Sequence, residues 1–380
     1  ANLTNANLTS ATFTNTNITG TNLTGATVTS MICGGGLVGT DTATLPSAAY
    51  VSRPTYGYFF GPRIVTQNAN FTSLDLSGVS LVGANFAGSN LTTATLTNAD
   101  ISGAIFTTTT LTGIITGGLS SGAGGITAPT LPTGYFVRGG FIVGPNVNLI
   151  NANLSNTNLT DISIIGASMA GASLLGANLT RLTSGSITGT DSVALPTAYV
   201  ARNGYFLGPY VYIRGITTDL SGINITGVQL TGADLSGCVF SNSIFTNVDI
   251  SGANLSRVTL TGVVSGGVTG GASTALVMPT GYVVRGGFIL GNGVSIPGAN
   301  LSTLNLTDVI LTNANIATVD FTGATITRLV TGGLVNADTA IIPAGYFIRS
   351  GFIVGPGVSL ASAVLTNVDL SGISLAGTVM

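Results

Sequence analysis

Between Ala69 and Gly113 the chain repeats every five residues: ANFTS LDLSG VSLVG ANFAG SNLTT ATLTN ADISG AIFTT TTLTG. Each pentad has a large apolar centre: Phe71, Leu76, Leu81, Phe86, Leu91, Leu96, Ile101, Phe106 and Leu111. A small or apolar residue, often Ala, stands two positions before the centre, and Asn, Asp, Ser or Thr usually flank it. A period of five suits neither a lone helix, at about 3.6 residues per turn, nor a long flat strand, at two. It suits a short extended segment, a corner, and another segment. In an extended segment the centre and the residue two before it share a side, and the residue between them faces away. Centres and their small partners therefore point inward, and polar residues outward.

Four such sides close a square coil of roughly 20 residues, and coils stack at roughly 4.8 Å, the spacing between strands. Phe86 then lies under Phe106, and Leu76 under Leu96. A single coil cannot bury its own interior, but stacked coils bury a continuous column. With this pattern the chain resembles the pentapeptide-repeat family, whose repeat is A(N/D)LXX. The resemblance extends over the whole chain and implies a right-handed quadrilateral parallel β-helix. The expected fold is all-β: one solenoid over residues 1–380 with about five projecting β-hairpins. Fold alone does not assign function.

Pentad blocks cover about 1–30, 69–113, 147–181, 218–262, 294–328 and 358–380. Insertions at about 31–68, 114–146, 182–217, 263–293 and 329–357 separate them. Four insertions carry an LPxGYxxRxGF-like pattern: LPTGYFVRGGFIVGP from Leu131, LPTAYVARNGYFLGP from Leu195, MPTGYVVRGGFILGN from Met278 and IPAGYFIRSGFIVGP from Ile342. Asn203-Gly204 is the preferred type I′ pair, so hairpins are expected at 135–144, 199–208, 282–291 and 346–355. The first insertion, with Pro54 at the turn, should have a wider one. Arg53, Arg138, Arg202, Arg285 and Arg349 hold one position before each turn, 85, 64, 83 and 64 residues apart. Because these values differ by about one coil, the hairpins are expected to leave from the same side, as a row. Residues 98–118 match 247–267, which points to a duplicated unit of two blocks and two hairpins.

Composition removes several functions. The chain has 10 basic and 12 acidic residues, all Arg and Asp, and no His or Trp. At net charge −2 it carries neither a nucleic-acid footprint nor the strongly acidic face of family members that protect DNA gyrase as DNA mimics. Mean hydropathy is +0.58, yet Gly, Thr and Pro interrupt every apolar stretch, so no membrane-spanning helix is expected. Without His, the usual nucleophile–base pairs and zinc ligands are missing, and no catalytic, cofactor or metal residues are assigned. Asp75, Asp100, Asp219, Asp234, Asp249, Asp320 and Asp369 take the outward site that Asn usually holds, as solvated face residues. Cys33 and Cys238 fall on inward positions, as small apolar residues. The N-x-S/T sites follow from the pentad itself. T-x-T pairs such as Thr95/Thr97 have no partner pair 20 residues away, so an ice-binding ladder is absent.

These features favour a structural protein: an extracellular or surface fibre, at a cell or virion, built by head-to-tail stacking of the chain on itself. Pentads reach both ends of the sequence with no evident cap, and it opens inside a pentad without Met, as after processing or as part of a longer chain. The residues expected to stack are Leu3, Leu8, Phe13 and Ile18 against Leu365, Leu370 and Leu375. The alternative is a binding module that offers a β-helix face, or the Arg row, to a glycan, surface polymer or protein. For the Arg row a local role, covering a hairpin ring or pairing with Asp, stands beside that one.

Overall fold

The computed structural model describes residues 1–122, 127–213, 218–361 and 363–380. Among them there is no α-helix, only short strands, isolated bridges and three 3-10 turns. No helix is long and apolar enough to cross a membrane. The chain divides into two compact units, Ala1–Asn178 with Leu182–Pro196, and Leu179–Arg181 with Thr197–Met380.

In the first unit the outward residues of successive coils pair in parallel, 20 residues apart: Asn70 with Asn90, Asp75 with Thr95, Ser80 with Asp100, Asn85 with Ile105. The bond pattern repeats at each side. The centre N–H donates to an outward residue's carbonyl one coil on, as Leu76 does to Thr95 at 2.8 Å, and the N–H of Thr95 returns to Leu74 at 2.9 Å. The inside is largely apolar, with a few buried hydroxyls such as Ser89 and Ser243. Leu91, Leu96, Ala94 and Ala99 have no exposed surface, and the rings of Phe86 and Phe106 stack at 5.3 Å and 4°. The second unit repeats the arrangement, with Leu235, Leu255, Phe240 and Leu260 in its core.

Corners fall two residues after each centre, where the backbone takes positive φ. Gly, Asn and Ser dominate there, the residues that tolerate this region best. Corner Asn obeys a further rule. Asn5, Asn15, Asn68, Asn98, Asn146, Asn151, Asn156, Asn242, Asn247 and Asn313 each place their side chain under a glycine of the next coil. A Cβ on those glycines would lie 2.1–2.4 Å from the Asn Oδ1. On the flat sides, Asn or Asp Oδ1 instead accepts the N–H two residues on, as Asn90 does from Thr92 at 3.0 Å.

Every insertion whose ladder is described at both ends completes a coil. In the first, Ile32 pairs with Val65 and Asn22 with Thr44; in the second, Ile115 pairs with Asn148 and Ile105 with Thr130. The fourth side of such a coil is the return strand of a hairpin. Five antiparallel hairpins form: Val51–Arg53 with Tyr58–Phe60, Phe136–Arg138 with Phe141–Val143, Val200–Arg202 with Tyr205–Leu207, Val283–Arg285 with Phe288–Leu290, and Phe347–Arg349 with Phe352–Val354. In the last four both turn residues have positive φ, including Ser350 at 47°, as a type I′ turn requires. The first has a wider turn, a 3-10 segment Pro54–Tyr56 closed by Gly57 at φ 67°. Only the outgoing strands and tips project. The return strands enter the core, where Phe59, Ile142, Phe206, Ile289 and Ile353 have no exposed surface.

Candidate interaction surfaces

The hairpins do not form a row. In the first unit, the first hairpin runs from Thr44, in line with Asp75 and Thr95, to Val65, in line with Asn85. The second runs from Thr130, in the Asn85 line, to Asn148, in the Thr95 line. They occupy opposite sides of the coil. In the second unit the third hairpin precedes Tyr212, in line with Asp234 and Val277; the fourth lies between Val277 and Ser295; the fifth lies between Ile341 and Ser359. These are three different sides. The expectation of one side fails because a hairpin returns to its side only after a multiple of four pentads. Ten pentads separate Val65 from Ile115, and seven separate Ser295 from Val330.

The five arginines bond back to their own scaffold, with Arg202 and Arg285 still exposed. Arg53 Nε donates to the Asp75 carbonyl at 2.7 Å, Arg138 to Asn158 at 2.9 Å, Arg202 to Asn224 at 3.1 Å and Arg349 to Asp369 at 3.3 Å. Nη1 of each, Arg285 included, reaches the carbonyl of the preceding residue. Arg138 and Arg349 also lie over the half-exposed rings of Phe136 and Phe347, at 5.3 and 5.4 Å. For Arg53, Arg138, Arg202 and Arg349 the geometry is that of a clasp between a hairpin and the coil that follows it.

A second clasp ties the first, second, fourth and fifth hairpins to the coil before them. The tip carbonyls of Gly57, Gly140, Gly287 and Gly351 accept from Leu37, Leu119, Val268 and Leu334 at 2.9–3.3 Å. The buried N–H groups of Ile142, Ile289 and Ile353 donate to the hydroxyls of Thr116, Ser265 and Thr331 at 2.9–3.0 Å. Phe59 donates to Cys33 Sγ at 3.3 Å, so the thiol fills the hydroxyl's place. Burial pushes the Cys33 and Cys238 thiols up to about 12, and both are free. The sequence signal for this clasp is TGGL at 116–119, SGGV at 265–268 and TGGL at 331–334. Sequence reasoning passed over it because those glycines sit in pentad phase.

The residues expected at stacking ends separate into two groups. Leu3, Leu8, Phe13, Leu365, Leu370 and Leu375 are only half buried, and the last three pack on the core of the second unit. Ile18 is enclosed, at 2% exposure, and presents no surface for stacking. Among the described residues no group of three or more His, Cys or Asp side chains could hold a metal ion.

A model of pentapeptide repeats matches eight copies, over residues 1–29, 75–113, 146–181, 223–262 and 292–328. The chain belongs to the pentapeptide-repeat family. Its fold is the right-handed quadrilateral β-helix of that family. Solved pentapeptide-repeat structures align with it at low identity. HetL, involved in heterocyst differentiation regulation in the cyanobacterium Nostoc sp. strain PCC 7120, is 22% identical over 74% of this chain and 85% of its own, with TM-score 0.13. Rfr23 from the cyanobacterium Cyanothece 51142 is 13% identical over 56% and 90%, with TM-score 0.15. Full-length QnrB1, a plasmid-mediated fluoroquinolone resistance protein, is 11% identical over 83% and 92%, with TM-score 0.11. Such superpositions transfer no role to this pentapeptide-repeat chain. No curated protein matches it in sequence.

Proposed function

We propose that this pentapeptide-repeat chain is a non-catalytic structural protein that builds a fibre by head-to-tail stacking of β-helix coils, outside the cell or on a cell or virion surface. One observation carries this reading. Centres inside each unit, such as Leu91 and Leu235, have no exposed surface, whereas Leu3, Leu8, Phe13, Leu365, Leu370 and Leu375 are half open. Apolar centres beside unpaired strand edges are the features that add another strand. The top of one coil stack differs from the bottom of another, so the contact is heterologous and propagates instead of closing into a dimer. Sparse charge offers little repulsion between copies. Electron microscopy of purified protein should show filaments whose length grows with concentration. A monodisperse monomer throughout the accessible range would overturn the reading. Surface labelling of producing cells tests the location.

The binding-module alternative keeps one observation in its favour. A cavity of about 330 Å³ opens beside the second hairpin, lined by Pro129, Leu131, Tyr135, Phe136 and Arg138 among others. An aromatic wall beside a guanidinium suits a glycan or an anionic polymer. Glycan-array binding that is lost in Arg138→Ala would support it.

A further inference from the structure

We infer that the hairpin arginines are edge guards: each guanidinium stands in the place of a missing strand and closes the gap between a hairpin and the following coil to an extended segment of a second copy. The role is independent of head-to-tail stacking and draws on neither end of the sequence. Inside a pentad block, every side of a coil is bonded to the next. The centre N–H groups of Phe71, Leu76, Leu81 and Phe86 donate to the carbonyls of Asn90, Thr95, Asp100 and Ile105 at 2.7–2.8 Å. At the first, second, fourth and fifth hairpins only one side stays continuous among the described residues: Ile32 with Val65, Ile115 with Asn148, Val264 with Ser295, and Val330 with Ser359. The other sides of the following coil have no coil strand before them. Asp75 and Asn158 bridge only to the coil after, at Thr95 and Asn178. They are strand edges within the stack.

The hairpin brings a second edge. In the second hairpin a two-residue turn joins Arg138 to Phe141, so these two exchange ladder bonds, and the polar groups of the next pair, Val137 and Ile142, point away from each other. The N–H of Ile142 accordingly leaves the hairpin for Thr116 Oγ1. Val137 turns its N–H and C=O outward along the outgoing strand, and its N–H has no acceptor among the described residues.

One guanidinium spans both edges. Arg138 Nη1 donates to the carbonyl of Val137 at 2.9 Å, and Nε donates to the carbonyl of Asn158 at 2.9 Å, where a regular coil would supply a centre N–H. Arg53 spans Ser52 and Asp75 at 3.0 and 2.7 Å, Arg202 spans Ala201 and Asn224 at 2.7 and 3.1 Å, and Arg349 spans Ile348 and Asp369 at 2.9 and 3.3 Å. A guanidinium carries donors alone, so it answers two carbonyls as strand N–H groups would and offers no acceptor to a further strand. Its charge opposes strand addition as well. The fourth hairpin is half guarded: Arg285 reaches Val284 but no coil carbonyl among the described residues.

The test compares the self-association of the full chain with that of Arg138→Ala, Arg285→Ala and Arg257→Ala by analytical ultracentrifugation, with thermal unfolding to confirm each fold. Arg257 stands at an exposed coil corner outside the hairpins and controls for lost charge. Arg138→Ala should tighten self-association about tenfold or more. Arg285→Ala, which frees one carbonyl instead of two, should do less, and Arg257→Ala should do nothing. Val137→Pro removes the outward N–H without touching a hairpin bond, so adding it to Arg138→Ala should restore the parent's behaviour. Should the parent chain form filaments, the same comparison is read by electron microscopy as filaments joined side by side, a change that leaves growth at coil ends unaltered. Should Arg138→Ala fail to fold, Arg138→Lys, a point donor in place of the two-sided fork, carries the comparison. Association unchanged in the Arg138 variant, matched by Arg257→Ala, or not reversed by Val137→Pro would overturn the guard role.

Discussion

The ring of Tyr135 lies across the backbone of Gly144, and its hydroxyl donates to the carbonyl of Pro145 at 3.1 Å. A Cβ on Gly144 would sit 2.4 Å from the ring. The relationship recurs as Tyr199 with Gly208, Tyr282 with Gly291, Tyr346 with Gly355 and Tyr50 with Gly61. It explains why Tyr opens each hairpin and Gly closes it: the ring seals the neck where both strands rejoin the coil. Gly144→Ala should cost about 1–3 kcal/mol, since the ring has nowhere to move without leaving its hydrogen bond. Tyr135→Phe keeps the ring and should cost only about 0.5–1.5 kcal/mol. Chemical denaturation of both variants gives the comparison.

The interior of each unit tolerates no charge. Leu235 has no exposed surface and packs in the core of the second unit. Leu235→Ala should lose about 2–5 kcal/mol through the cavity it leaves. Leu235→Asp should prevent folding of that unit, because an unpaired carboxylate would enter an apolar column. Circular dichroism and limited proteolysis distinguish the two outcomes.

Corner pairs should be exchangeable as pairs and not singly. Asn98 Oδ1 lies 2.2 Å from where a Cβ on Gly118 would be. Gly118→Ala should destabilise, with both the contact and the positive φ of 63° opposing it. Adding Asn98→Gly should recover the steric share, a coupling of about 0.5–3 kcal/mol in a double-mutant cycle. Additive losses would mean that the corner amide is free to turn away.

The two thiols give a pH signature. Burial raises both to about 12 from an ordinary 9.0, so the folded state holds the neutral form. Their contribution to stability is complete below pH 9, declines as the unfolded thiols ionise, and is gone above about pH 12. Carboxylates behave oppositely. The Ser77 and Ser371 hydroxyls, with their backbone N–H groups, hold Asp75 and Asp369 below the usual range. Their contribution is present above the unfolded carboxylate range and is lost as pH falls through the folded values. A thiol reagent at pH 8 should label neither Cys33 nor Cys238 until denaturant is added; labelling of native protein would contradict their full burial.

The coil was legible from pentad phase alone, because inward and outward positions follow from local geometry. Hairpins were legible too, since Asn203-Gly204 and its relatives demand one turn type. Their sides were not. A side depends on every pentad passed, and insertions lengthen a coil by unequal amounts, so residue separations such as 85 and 64 mislead where pentad counts do not. The Asn–Gly corners escaped for a related reason. Their partner lies 20 residues on in regular coils but 21 on for Asn15 and Gly36, and nothing local marks the pair. The arginines looked like a surface feature because charge is rare here; their bonds to backbone carbonyls depend on where the next coil passes.

In the second unit the third and fifth hairpins are one long repeat apart, and the fifth stands one side further round than the third. Lengthening by whole repeats thus carries with it a quarter-turn screw. Equivalent hairpins would climb like treads of a spiral stair, none shadowing the one below. A rigid partner that grips one of them could not reach its equivalent by sliding along a straight line. It would have to wind, or be a ring.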